Sequence, residues 1–282
     1  MKPAPFELRR PASLEEALAS LAVLGSDGHV LAGGQSLLPL LRYRVMTPHV
    51  LVDINRIDAL DDLSLDSNEV RIGALVRHAR LEKARSRVYA PLAALLAAHA
   101  REIAFWAVRN RGTAVGSLVQ ADPKGDWPLL FCALDAAVEL ASSRGVRNMA
   151  VREFIRGPLQ AGREVDELVT AITLSPDRAR VSAWGRSKLM HRAGEYAMCS
   201  SVALCQDGVW HCWLGAAGDR PQSLPNLARA IAKPSGCGWT ALLAIARADV
   251  DAALPEVPAL ERHRHAVNAV DAAERATHGI LQ

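Results

Sequence analysis

Arg109-Asn110-Arg111-Gly112-Thr113-Ala114-Val115-Gly116-Ser117, running on into Ala121-Asp122-Pro123-Lys124-Gly125-Asp126-Trp127-Pro128, is the stretch whose reading decides the fold. Gly112 and Gly116 bracket a short polar-to-apolar run, and an acidic turn follows. Such a loop lets the backbone approach an anion closely, because glycine lacks a Cβ and tolerates positive φ. Runs of Gly, Ser, Asp and Pro are also the common material of surface turns. The first loop gains weight from a second one upstream, Leu31-Ala32-Gly33-Gly34-Gln35-Ser36-Leu37-Leu38-Pro39. Two such loops in one chain can clamp the two phosphates of a dinucleotide from opposite sides.

The upstream loop stands in an informative setting. Ser13-Leu14-Glu15-Glu16 is a capping box, and Leu14, Ala17, Leu18, Leu21 and Ala22 recur at helical spacing until Gly25. His29-Val30-Leu31 then reads as a short buried strand, and Leu37 to Tyr43 as a helix. The order is strand, glycine loop, helix, a junction whose N–H groups attract phosphate. The same residues also make a tight turn with no ligand. Val50-Leu51-Val52-Asp53-Ile54 has the near-continuous apolar character of a buried parallel strand, so a small βαβ unit is expected.

Further along, Val70 to Ala74 reads as a strand, Arg77 to Ala84 as a helix, and Pro91 opens a longer helix to about Ala104. A helix from Trp127 to Leu134 holds the carboxyl end of the deciding stretch. Strands at Ala137–Leu140 and Glu167–Ile172 close this region. The pattern changes around Ser175-Pro176-Asp177-Arg178, which places a domain boundary there: residues 1–175, then 176–282. Strands at Val181–Trp184 and Ser201–Cys205 lead to Asp207-Gly208, a hairpin signal. The alternating Val209-Trp210-His211-Cys212-Trp213-Leu214 follows, and helices over Leu224–Lys233, Thr240–Ala248 and Ala259–Ala276 finish the chain.

Composition narrows the function classes. Half the residues are hydrophobic and 22% charged, ordinary for a globular protein of this length. A net charge of +3, with no aromatic-interleaved basic stripe, argues against nucleic acid and membrane surfaces as partners. Cys132, Cys199, Cys205, Cys212 and Cys237 form no C-x-x-C pair, which argues against a disulfide framework, an iron–sulfur site or a structural zinc site. No metal ligand set is assigned. His263 and His265 are two apart on a helix and diverge, and His211 and Cys212 face opposite sides of a strand. The N-terminus lacks a signal-peptide core and no apolar run spans a bilayer, so a reduced, cytoplasmic protein is expected. G-x-G-x-x-G, G-x-S-x-G and H-E-x-x-H are all absent from the sequence.

Taken together, Ala32-Gly33-Gly34-Gln35-Ser36 and Arg109 to Ser117 resemble the two flavin-binding loops of the FAD-containing medium subunit of molybdenum hydroxylases. That family includes carbon monoxide dehydrogenase and xanthine dehydrogenase, with an FAD domain of the vanillyl-alcohol oxidase / p-cresol methylhydroxylase (PCMH) type. The resemblance extends to Phe6-Glu7-Leu8-Arg9-Arg10-Pro11, Val52-Asp53-Ile54-Asn55, Ala121-Asp122-Pro123 and Lys188 to Ala197. It implies an α+β chain: a PCMH-type FAD-binding domain, made of a small βαβ subdomain and a mixed-sheet subdomain, then a smaller α+β C-terminal domain.

The resemblance also implies the site. Ala32, Gly33, Gly34, Gln35 and Ser36, with Thr113, Ala114, Val115, Gly116 and Ser117, would wrap the FAD pyrophosphate. Asp126 would accept a hydrogen bond from a ribose hydroxyl. Val169 would pack near the flavin, and Lys188 and Tyr196 would approach from the second domain. Read as residues alone, Asp126 equally suits an N-cap of the Trp127 helix, Lys188 a solvated charge, and Tyr196 a core aromatic. One departure stands out: the family pattern Thr-Ile-Gly-Gly-Ser is here Thr113-Ala114-Val115-Gly116-Ser117. If Val115 keeps a backbone shape that glycine adopts freely, it should be strained and should crowd the pyrophosphate.

The function implied is an electron-transfer subunit of a molybdenum hydroxylase. Its partners would be a [2Fe-2S] small subunit and a large subunit carrying the molybdenum cofactor, in a dimer of heterotrimers. No acid, base or nucleophile is assigned to the chain, since a flavin does the redox chemistry itself. Two alternatives stay open: a scaffold subunit with a degraded flavin site, which Val115 favours, and a free-standing flavin oxidase.

Overall fold

The computed structural model describes residues 2–233 and 237–279. The chain begins with β1 (Glu7–Arg9), α1 (Leu14–Leu24), β2 (Gly28–Leu31), α2 (Leu37–Arg42) and β3 (Val50–Asp53). The three strands form a parallel sheet in the order β1-β3-β2, so β2-α2-β3 is the βαβ unit expected. The α1 cap forms as read, with Ser13 Oγ accepting from the Glu16 N–H at 3.2 Å. The Glu16 carboxylate turns back to the Ala12 N–H, one residue beyond the usual capping-box partner. Leu37 and Leu41 of α2 bury against Leu51 of β3, which fixes the angle at which α2 leaves the glycine loop.

A second sheet follows. β4 (Leu63–Leu65) and β5 (Val70–Gly73) lead into a run of helices: α3 (His78–Leu81), α4 (Ala90–Arg101), α5 (Trp106–Arg109), α6 (Ala114–Gln120) and α7 (Asp126–Ala133). Then come β6 (Ala137–Ser142), β7 (Gly145–Ala150), α8 (Val151–Phe154), the short pair β8 (Ile155–Gly157) and β9 (Gln160–Ala161), and β10 (Leu168–Leu174). The sheet order is β4-β5-β10-β6-β7, antiparallel at each pairing. Several parts of this region differ from the sequence reading, which has no counterpart for the short elements β4, α5, α8, β8 and β9. Residues 109–117 are a helix end, a turn and a new helix rather than one open loop, because Thr113 caps α6 by accepting the Gly116 N–H. β7 is another strand that the sequence did not signal: none of its residues is buried, so no apolar alternation marks it.

The rest of the chain packs on α7. After α9 (Pro176–Ala179), the strands β11 (Val181–Leu189), β12 (Cys199–Gln206), β13 (Val209–Gly215) and β14 (Gln222–Ser223) form an antiparallel sheet in chain order. The Asp207-Gly208 hairpin forms with both residues at positive φ, +47° and +79°, as a two-residue turn requires. Helices α10 (Pro225–Ile231), α11 (Trp239–Ala253) and α12 (Ala259–His278) complete it. The backbone of α12 lies so close to β11 that a Cβ on Gly185 would stand 2.3 Å from the Ala272 carbonyl oxygen.

Helix α7 is the pivot between these parts. Every residue from Trp127 to Ala133 is buried, the pattern of a helix enclosed on all sides. Trp127, Leu129 and Phe131 share one hydrophobic core with Ile72 and Ile172 of the second sheet and Val202, Leu204 and Trp213 of the third. A Cβ on Gly215 would meet Leu129 at 3.0 Å, so β13 lies directly on α7. The first residue of this helix, Asp126, is thereby held by the cores of both halves of the chain.

Candidate functional site

Between the two glycine loops lies a cavity of about 870 Å³, within the roughly 300–1,000 Å³ range of small-molecule and cofactor clefts. The β2–α2 loop supplies Ala32, Gly33, Gly34, Gln35 and Ser36 to its wall, and the start of α6 supplies Thr113, Val115, Gly116 and Ser117. Asp126, Val169 and Tyr196 also border it. Two residues of the expected set do not. Ala114 is fully buried in the core, on the far side of the first turn of α6. Lys188 is withdrawn behind Asp126, its side chain only 3% exposed.

The loops meet through their backbones. A Cβ on Gly33 would stand 2.3 Å from the Arg111 carbonyl oxygen and 2.8 Å from Gly112 Cα, so only glycine allows this approach. Gly34 turns the chain into α2 at φ +74°, the left-handed region that glycine enters freely. A polar strap holds the junction. Asn55 Nδ2 donates to the Ala32 carbonyl at 2.9 Å and to Asp53 Oδ1 at 2.6 Å. Arg77 donates to Asn55 Oδ1 at 2.5 Å and to the Arg111 carbonyl at 2.5 Å. Arg77 is a residue that sequence reasoning passed over as the start of a helix, and no motif singled it out. Asn55 stood inside a quoted stretch without an assigned role.

On the other loop, Thr113 Oγ1 accepts the Gly116 N–H at 3.0 Å, and the Thr113 carbonyl accepts the Ser117 N–H at 3.0 Å. These two N–H groups serve the first turn of α6. A Cβ on Gly116 would press on Thr113 Oγ1 at 2.8 Å and disturb the cap. Val115 has no unusual backbone. It lies within α6, not among the residues at positive φ, and its side chain is 97% buried in the main core while still bordering the cavity. The expected strain at Val115 is therefore absent: the capped helix asks of this position only an ordinary helical φ.

Asp126 opens α7 after Gly125 and makes no capping hydrogen bond, so the alternative reading as an N-cap does not hold. Its Oδ2 accepts from Lys188 Nζ at 2.9 Å, and the same ammonium reaches the Glu102 carbonyl at 3.2 Å. Burial pushes the Asp126 carboxyl up from its ordinary pKa, while the Lys188 charge beside it pulls the other way. Asp126 Oδ1 is buried without a partner, a costly state for a carboxylate oxygen. That orphaned acceptor fits a group that brings a hydroxyl donor, as a ribose does.

Val169 sits where the β10–β6 register shifts, between Val169 and Ala171, and turns toward the cavity at that bulge. Tyr196 stands at the rim and is 62% exposed. Its loop turns at Gly194, at φ +85°, where a Cβ would meet the Phe105 ring at 2.7 Å. Beneath the cavity floor Trp127 stacks with Phe131 and lies between His78 and His99. Among the described residues no cluster of three or more His, Cys, Asp or Glu is placed to hold a metal ion. No helix among them is long and apolar enough to cross a membrane.

The glycine cradle, the unpartnered carboxylate oxygen and the cavity size all fit a dinucleotide cofactor, and comparison with known proteins says which. The sequence profile of the FAD binding domain in molybdopterin dehydrogenase matches residues 4–176. The caffeine dehydrogenase subunit beta of Pseudomonas sp. (strain CBB1) is 35% identical over 205 residues, covering 72% of this chain and 68% of that one. The carbon monoxide dehydrogenase medium chain of Hydrogenophaga pseudoflava is 36% identical over 197 residues, covering 70% and 68%. Among solved structures, quinoline 2-oxidoreductase from Pseudomonas putida 86 superposes with a TM-score of 0.86 over 100% of both chains, at 28% identity. The chain belongs to the molybdopterin dehydrogenase FAD-binding family, as an FAD-binding oxidoreductase subunit of the molybdenum hydroxylase type.

Proposed function

We propose that this chain is the electron-exit subunit of a molybdenum hydroxylase, holding FAD between its glycine loops and passing electrons to an external acceptor. The observation that carries the reading is the meeting of the loops at Gly33 and Gly112 over a cavity bordered by Asp126. Bound FAD would supply the redox chemistry, taking up electrons and giving them away in one- or two-electron steps. The chain's own residues do the rest. The two loops and the N-terminal end of α6 face the pyrophosphate, Asp126 Oδ1 accepts from a ribose hydroxyl, and Val169 and Tyr196 border the remainder of the cofactor.

Partners follow from the chemistry. Without a cysteine cluster of its own, the chain receives electrons from a [2Fe-2S] small subunit, itself served by a large subunit bearing the molybdenum cofactor. A dimer of such heterotrimers is the assembly proposed, in a reducing cytoplasm where its five free cysteines persist as thiols. We place the domain division at residues 175/176. The family match ending at residue 176 supports it, as does the separate hydrophobic core that α10, α11 and α12 build against β12 and β13. The scaffold alternative rested on strain at Val115 and loses that support.

The test is a rapid-mixing experiment on the intact complex before and after removal of FAD. Substrate should reduce the iron–sulfur clusters in both preparations, while electron delivery to an external acceptor should require FAD. Equal delivery without FAD would contradict the proposal.

A further inference from the structure

The buried indole of Trp127 decides the protonation of a neighbour. Its Nε1–H can only donate, and it lies 3.0 Å from His78 Nδ1 in a fully buried contact. His78 Nδ1 must therefore present a lone pair, and the proton of the neutral ring resides on Nε2. A second proton would set N–H against N–H where no water enters. Burial and the nearby Arg77 and Arg109 charges act in the same direction and bring the imidazole pKa down to about 4.

The other edge of the ring faces the junction of the loops. His78 borders the cavity, and a Cβ on Gly112 would stand 2.7 Å from His78 Nε2 and 2.9 Å from Cδ2. Gly112 is also the residue whose Cα closely approaches Gly33. The backbone fixes the ring from below, since the His78 N–H donates to the Gly112 carbonyl at 3.0 Å. His78 Nε2 is not among the buried side-chain atoms left without a partner, and no protein acceptor engages it among the described residues, so it opens on the cavity. A glycine at 112 thus serves two contacts: it admits Gly33 on one side and the imidazole edge on the other.

We propose that His78, locked by Trp127 as the Nε2–H tautomer, is a further FAD-binding residue that donates a neutral hydrogen bond to a cofactor oxygen where the glycine loops meet. Trp127 is its positioning residue. The inference rests on the cavity being the FAD site and adds to it a donor of fixed orientation and constant charge. A neutral donor lets FAD affinity hold steady from mildly acidic to alkaline pH. An imidazole with its ordinary pKa would change charge within that range.

The experiment uses the full chain, deflavinated and titrated with FAD. Long-range nitrogen–proton correlation on histidine-labelled chain, with His78 assigned by its loss in His78→Gln, should show the Nε2–H tautomer before FAD is added. FAD should then shift the Nε2–H resonance. By flavin fluorescence, His78→Leu should bind FAD roughly five- to tenfold more weakly, as for one lost neutral hydrogen bond. His78→Gln, which restores an N–H donor, should recover most of that loss. Trp127→Phe should free the ring, so that the Nδ1–H tautomer appears beside Nε2–H and FAD binds more weakly at neutral pH. An Nδ1–H tautomer in the wild type, an unmoved Nε2–H on FAD addition, or Gln binding as weakly as Leu would each overturn the proposal. If His78→Leu binds like wild type while Asp126→Ala still weakens binding, His78 is excluded and the FAD site stands. If wild type takes up no FAD at all, the site assignment itself fails.

Discussion

Lys188 Nζ on β11 lies 2.9 Å from Asp126 Oδ2 at the head of α7, so the second half of the chain holds the carboxylate that borders the cavity between the glycine loops. Both side chains are nearly sealed from solvent, at 3% and 11% exposure. Removing one partner of such a pair strands the other. Lys188→Met should therefore cost about 3–5 kcal/mol of stability, read as a shift in the urea midpoint. Adding Asp126→Asn in the same chain should recover a large part of it. An unchanged midpoint in Lys188→Met would mean that the carboxylate is content without its ammonium.

In the proposed function Asp126 has a separate role on its unpartnered oxygen. A hydrogen bond from a ribose hydroxyl to a carboxylate is charge-assisted, so Asp126→Ala should weaken FAD binding by about 1.5–3 kcal/mol. Lys124→Ala is the control, because Lys124 does not border the cavity and its backbone N–H merely closes a turn onto Asp122 Oδ1. Titration of both deflavinated variants with FAD separates the two cases. Equal affinities would remove Asp126 from the site.

Val115→Gly should destabilise the chain and leave FAD binding no tighter. The substitution places glycine inside α6, at a cost of about 1 kcal/mol. It also removes a buried side chain worth roughly 1.5–3 kcal/mol. Thermal unfolding of wild type and variant measures the first effect, and FAD titration the second. A tighter FAD complex in the variant would show that the isopropyl group crowds the cofactor.

Stability should fall on mild acidification through two buried histidines. His78 is held at about 4 and His99 well below its ordinary 6.5, both chiefly by burial. The unfolded chain then binds more protons than the native one between these values and 6.5. The native state has its full advantage above pH 6.5 and loses it as pH falls toward 4, by about 1.4 kcal/mol per unit for each histidine. Urea midpoints at pH 7.5 and 5 should differ accordingly, and His99→Gln should flatten the slope. A wild-type profile without slope between these two pH values would contradict the burial of both rings.

Much of the candidate site's cavity wall was legible because it depends on residue types that have few other uses. Gly33 and Gly34 lie between a strand and a helix, and the structure explains each by a backbone contact or a positive φ. The hairpin at Asp207-Gly208 and the parallel β2-α2-β3 unit were readable for the same reason: local chemistry and apolar pattern agree there. What sequence could not give depends on tertiary partners. Nothing in the sequence around Lys188 announces that its charge turns inward to Asp126. Arg77, which ties Asn55 to Arg111, lies 22 and 34 residues from those partners. The error at Val115 came from treating Thr113 to Ser117 as an open loop. One hydroxyl cap, Thr113 to the Gly116 N–H, makes it a helix and changes the backbone demanded of Val115.

The central claim is that the cavity between the glycine loops holds FAD. The most direct measurement is the flavin retained by wild type and Gly34→Val after FAD loading and gel filtration, with the fold of each checked by circular dichroism. Gly34 has φ +74°, and a Cβ there would stand 3.1 Å from Leu38 and 3.2 Å from Leu31, so valine distorts the loop at the cavity wall. The account predicts nearly stoichiometric FAD on the wild type and almost none on a folded Gly34→Val chain. Equal flavin on both would contradict it.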